Sequence, residues 1–178
     1  LESTSIREEI LGRSFEHLIQ YARTLGASDA KLIDAGNIVV DPRSLLKCRF
    51  GCYRWGKYWT CQPNINISAD QFKEALQKYK TAIVIKCVEP KVVQEVTLAV
   101  EKKAMLEYGA IFSFAMVLCV LCDECAFPDP CRFPHLARPA MDGLGVDIAK
   151  TVEPLGFNVE FDPQGNLLPE WYSMVLLD

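Results

Sequence analysis

Apolar residues along the chain fall into helical and alternating periods. Phe15, Leu18, Ile19, Ala22 and Leu25 recur at helical spacing. Ser5-Ile6-Arg7-Glu8 ahead of them reads as a capping box, and Gly26 is suited to close the helix. Ala30–Asp34 reads as a short strand that Asn37–Val40 extend or restart, and Asp41-Pro42 marks a turn or a new helix start. Gln71–Tyr79 is a helix with Phe72, Ala75, Leu76 and Tyr79 on one face. Thr81–Val88 follows as a β-branched strand on which Ile83, Ile85 and Cys87 share a side.

The same periods continue downstream. Lys91–Tyr108 is a long helix striped by Val93, Val96, Val100 and Ala104, with Gly109 at its end. Ile111–Leu118 is nearly all apolar, as a strand buried on both faces would be, and it leads into Cys119. Pro139 suits the first turn of another helix. Met141, Leu144, Ile148, Val152 and Leu155 form its stripe and Gly156 closes it. Asn158–Phe161 and Trp171–Leu177 read as two strands of a hairpin joined through Asp162-Pro163-Gln164-Gly165-Asn166. This alternation predicts an α/β or α+β fold: a mixed sheet packed with helices, with cysteine-rich loops at one end of the sheet. Length and the lack of a linker or repeat make residues 1–178 one metal-binding domain.

Composition narrows the function. Half of the residues are hydrophobic and 24% are charged, which is ordinary for a soluble globule. A formal charge of −4 argues against non-specific nucleic-acid binding, which rests on neutralising phosphates. The longest apolar run, from Ala110 to Cys122, is too short to span a bilayer. Eight cysteines without a secretion signal point to metal binding in a reducing cytoplasm rather than to disulfides. No Gly-rich phosphate loop, G-x-S-x-G elbow or H-E-x-x-H motif is present.

The strongest chemical signal is Cys119, Cys122, Cys125 and Cys131, spaced C-x2-C-x2-C-x5-C. Cys thiolates favour iron–sulfur clusters, zinc and Cu(I) over hard ions. Zinc ribbons offer two separated Cys pairs, whereas a shared middle cysteine suits a 4Fe–4S cubane. Zinc stays open as the alternative.

Cys48, Cys52 and Cys61 form a second, weaker group, set among Tyr53, Trp55, Tyr58 and Trp59. These aromatics read either as the dry wall of a metal site or as a satellite hydrophobic patch. Cys87 is either a small buried core residue or a fourth ligand for that group. His135 reads as an exposed or hydrogen-bonded loop residue rather than a ligand. Arg132 and Arg138 could bind a carboxylate or phosphate, and salt bridges to Asp123, Glu124 or Asp129 are the plainer expectation.

With those residues in place, the chain resembles an uncharacterised prokaryotic family of predicted metal-binding proteins, common in anaerobic bacteria and archaea. The likeness runs from about Cys48 to Gly156. It rests on Cys48-x3-Cys52, Trp59-Thr60-Cys61-Gln62-Pro63, Cys119-x2-Cys122-x2-Cys125, Cys131-Arg132-Phe133-Pro134 and Arg138-Pro139-Ala140-Met141. The family pattern tends to carry proline where this chain has Gln62, and Arg-Pro-Ser-Met-Glu where it has Ala140 and Asp142. The resemblance implies metal binding and names no activity.

The resulting expectation is an iron–sulfur protein with one or two 4Fe–4S clusters. It would serve electron transfer, or the assembly and activation of another metalloenzyme, through a protein partner. A zinc-stabilised interaction module is one alternative. An enzyme using an open cluster iron for non-redox or sulfur-transfer chemistry is the other.

Overall fold

The computed structural model describes residues 15–160, 163 and 170–178. The capping box at Ser5–Glu8 lies outside them, as does most of the 162–166 loop.

A helix over residues 15–24, α1, buries Phe15, Leu18, Ile19 and Ala22, as their spacing predicts. Leu25 is exposed, and Gly26 turns the chain at φ +108°. β1 spans Asp29–Asp34 and ends in a 3-10 turn over Ala35–Asn37. Val40 then makes a lone bridge to Val146. α2 spans Arg43–Gly51 and contributes no buried residue. α3 spans Ala69–Leu76, opened by a capping box between Ser68 and Gln71 that satisfies two free N–H groups at once. β2 spans Thr81–Cys87 and α4 spans Pro90–Glu107. The last strands are β3, Phe114–Met116, and β4, Trp171–Leu177. Between them lies a short helix, α5, at Ile148–Val152.

The fold class is α+β. The sheet runs β1-β2-β4-β3, and every pairing among these strands is antiparallel. β2 and β4 are central and therefore buried on both faces. One face, with Ile83, Ile85, Cys87, Val175 and Leu177, packs on α1 and α4. The other, with Ala82, Val84, Met174 and Leu176, meets Phe72, Leu144, Val152 and Phe157.

Three expectations change. Only Phe114–Met116 of the apolar Ile111–Leu118 run is strand, and Ile111 and Phe112 are exposed. β3 pairs with β4 alone, and beyond Met116 the chain leaves the sheet: the Val117 N–H donates to the Pro139 carbonyl at 2.8 Å.

The helix expected from Pro139 to Leu155 is broken. A 3-10 turn over Asp142–Leu144 ends at Gly145, which sits at φ +90° with Ala69 so close that a Cβ would meet it at 2.7 Å. α5 then restarts from its Asp147 cap. Finally, residues 158–160 are not strand. β4 pairs with β2 along its length and with β3 at residues 174–176, and Asn158 meets it only through its carbonyl, which accepts from the Tyr172 hydroxyl at 2.9 Å.

Candidate metal centre

The cysteine run begins three residues beyond β3 and is held by main-chain contacts. The Val120 N–H donates to Gln94 Oε1 on α4 at 2.9 Å. Arg54 Nη1 donates to the Cys119 carbonyl at 2.9 Å. Arg132 Nη1 donates to the Glu124 carbonyl at 2.9 Å, tying the far side of the loop back on itself. Trp59 Nε1 donates to the Asp129 carbonyl at 2.8 Å, and its ring meets Phe127 edge-on at 5.1 Å.

These ties bring Cys119, Cys122, Cys125 and Cys131 to the wall of one narrow hollow that is partly open to solvent. Trp59, Leu121 and Phe133 complete much of that wall. All four cysteines are half-buried and free. Thiols spaced around a hollow suit a cubane, whose irons each take one thiolate.

The second group is built by α2 and the turn after it. Cys48 lies in the last turn of α2 and Cys52 is its C-cap, its N–H donating to the Cys48 carbonyl at 3.2 Å. Cys61 returns through a turn on the Tyr58 carbonyl. Cys48 Sγ donates to Asp142 Oδ2 at 3.4 Å. Burial, the Asp142 carboxylate and the Cys52 and Cys61 sulfurs push the Cys48 thiol up to about 12. Burial raises Cys61 to about 11 against the pull of Arg54.

Arg54 and Tyr58 stand between the two groups. The guanidinium lies 4.2 Å over the Tyr58 ring, and Tyr58 feels both Cys61 and Cys125. Cys61 and Cys119 thus share one neighbouring cation.

The donor sets fit soft metals, since three and four thiols gather with few competing oxygens. Among the described residues, no three His, Cys, Asp or Glu side chains converge tightly enough to grip a single ion. One buried donor next to the later run is without a partner among the described residues. Gln94 is buried, and its Nε2 has no hydrogen-bond acceptor. Its Oε1 accepts from the Val120 N–H, one residue beyond Cys119.

Cys87 is fully buried in the core between α1, α4 and the sheet, apart from the Cys48 group. Burial pushes its thiol up to about 11, against a smaller opposing pull from the Ser28 backbone. His135 is exposed. Arg138 pairs with neither Asp123, Glu124 nor Asp129. Its Nε and Nη2 fork onto Glu101 of α4, with Nη2 to Oε2 at 2.9 Å. Arg132 reaches the Glu124 main chain rather than a carboxylate.

Against known families, the chain matches the one described as predicted metal-binding protein (DUF2284), over residues 31–177. The chain belongs to that family. The match covers both cysteine groups and the sheet that carries them, and a metal-binding role fits it. No curated protein and no solved structure matches the chain. Among the described residues, no helix is long and apolar enough to cross a membrane.

Arg54 and Asp142 gained their importance only in three dimensions. A pattern did mark Gln94: it and Glu101 stand seven apart on the buried stripe of α4. Such a polar pair on an apolar face must serve backbone groups.

Proposed function

We propose that this protein is an iron–sulfur electron carrier. Cys119, Cys122, Cys125 and Cys131 hold one 4Fe–4S cluster, Cys48, Cys52 and Cys61 form a second metal site, and both belong to one domain of residues 1–178. The observation that carries the reading is the gathering of all four later cysteines on one hollow.

Such a cluster supplies a reversible one-electron couple, tuned by nearby charge, hydrogen bonds to sulfur and solvent access. Four-cysteine ligation leaves no position for a substrate, which favours electron transfer over chemistry at an open iron. The chain's own residues do the tuning. Arg54 brings a fixed positive charge to Cys119. The Gln94 amide offers a buried donor beside Val120. Trp59, Leu121 and Phe133 keep water from part of the wall. Electrons pass to a protein partner.

The test is iron, acid-labile sulfide and zinc per chain on protein purified without oxygen, with a visible spectrum of the same sample. About four irons and four sulfides are expected. Zinc at both groups with no sulfide would sink the proposal.

A further inference from the structure

We infer that Asp142 is the fourth protein ligand of the Cys48, Cys52 and Cys61 site, and that this site takes a single zinc-class divalent ion. The ligand set is three thiolates and one carboxylate. The inference rests on the reading of Cys48, Cys52 and Cys61 as a metal site, and is independent of what the later cysteines hold.

The first support is a distance. Cys48 Sγ and Asp142 Oδ2 stand 3.4 Å apart. Two ligands of one tetrahedral zinc, sulfur at about 2.3 Å and oxygen at about 2.0 Å, stand about 3.5 Å apart. In a cubane each iron takes one protein ligand, so neighbouring ligands are held much further apart. This pair suits one ion.

The second support is the scaffold. Gln62, next to Cys61, donates through Nε2 to the Gly143 carbonyl at 3.0 Å and to the Ile67 carbonyl at 2.6 Å. The residue after Cys61 therefore grips the residue after Asp142. A Cβ on Gly143 would lie 3.2 Å from Ile65 Cδ1, so the two turns are pressed together. Asp142 is thereby fixed against the cysteine loop.

The third support is charge. Cys48 and Cys61 each feel both Asp142 and Cys52, so the four groups form one electrostatic cluster. Among the described residues no Lys, Arg or His forms a salt bridge with Asp142. A half-buried carboxylate among three thiols without a paired cation is the environment that binds one. Three thiolates, one carboxylate and a divalent ion sum to −2. From Pro42 to Ala69 the chain carries no Asp or Glu but has Lys47, Arg49, Arg54 and Lys57 to offset that charge, Arg43 being paired with Asp41.

Cys52 and Cys61 do not converge with Cys48 and Asp142 on one point, so binding requires those side chains to turn inward. It also releases three thiol protons to solvent, while the carboxylate binds as it stands.

The test uses full-length protein and zinc. X-ray absorption at the zinc edge sees this site whatever iron the later cysteines hold. In the unaltered protein the zinc shell is expected to hold three sulfurs and one oxygen, and in Asp142→Cys four sulfurs. Asp142→Ala should weaken zinc binding by more than about tenfold. Asp142→Asn, which keeps the shape, should also weaken it and guards against misfolding.

Four sulfurs in the unaltered protein would overturn the inference. So would an unchanged shell in Asp142→Cys, or eight irons and eight sulfides per chain with no zinc. Iron and sulfide on the same samples separate the two proposals. Two zincs per chain with no sulfide and an average shell of about three and a half sulfurs and half an oxygen would remove the cluster and leave Asp142 in place.

Discussion

Arg54 donates to the main-chain oxygen of Cys119 at 2.9 Å, across 65 residues of sequence. This bond fastens the Cys48–Cys61 loop to the start of the later run. Charged hydrogen bonds of this kind contribute about 1.5–3 kcal/mol. Arg54→Met should lower stability in urea by about that much and loosen iron retention. Arg54→Lys should recover the charge but not the bond, and so restore iron retention only in part. Equal iron retention in all three proteins would show that the bond does not hold the site.

Cys87 separates a core cysteine from a ligand. Cys87→Ala should leave iron and zinc per chain unchanged and cost about 1 kcal/mol through a small cavity. It should also change the alkaline limb of stability. The Cys87 thiol is raised from 9.0 to about 11 by burial. The unfolded chain therefore ionises first, and stability is lost as pH rises from 9 to about 11. Urea unfolding of both proteins across that range should give a shallower decline in the variant.

Glu101 couples α4 to the segment after the cysteines. It takes the Arg138 fork and accepts the Ala115 N–H at 2.8 Å. Arg138→Ala leaves a buried carboxylate unpaired and should cost about 2–4 kcal/mol. Glu101→Gln keeps an acceptor for Ala115 and should cost less. Thermal unfolding of the two variants ranks them, and the reverse order would show that leaving Arg138 unpaired costs more than leaving Glu101 unpaired.

Gln94 serves the later group from below. Gln94→Leu removes the acceptor of the Val120 N–H, a buried bond, at a cost of about 1–3 kcal/mol. Gln94→Glu keeps that acceptor and removes the orphaned Nε2 donor. If that donor faces the cluster sulfurs, Gln94→Glu should lower the reduction potential, and it should also lower stability because it buries an unpaired carboxylate. An unchanged potential in redox titration would place Nε2 elsewhere.

The elements that were legible in the sequence are those with an unbroken period. α4 and β2 match within a residue or two because Val93, Val96, Val100 and Ala104 keep one stripe and Ile83, Ile85 and Cys87 keep one face. The helix expected after Pro139 failed because its stripe of Met141, Leu144, Ile148 and Val152 survives a break at Gly145: each is buried or packed on the core, but from two separate short pieces. β3 shrank because apolar content does not reveal that Ile111 and Phe112 would stay exposed. The gathering of four cysteines follows their spacing. The placement of Arg54 and Asp142 does not, because it depends on how α2 and the Asp142 turn dock.

α2 contributes no buried side chain, and it exposes Leu46 and Phe50. It is attached through the Ser44 hydroxyl, which donates to the Val146 carbonyl at 3.3 Å, through Cys48 and through the loop that follows. Such an element forms its own cooperative unit, able to open without unfolding the sheet. Its amides should exchange with deuterium long before those of β2 and β4, and slow once Cys48 is anchored. Occupancy of the first cysteine group then becomes readable as the order of one surface helix.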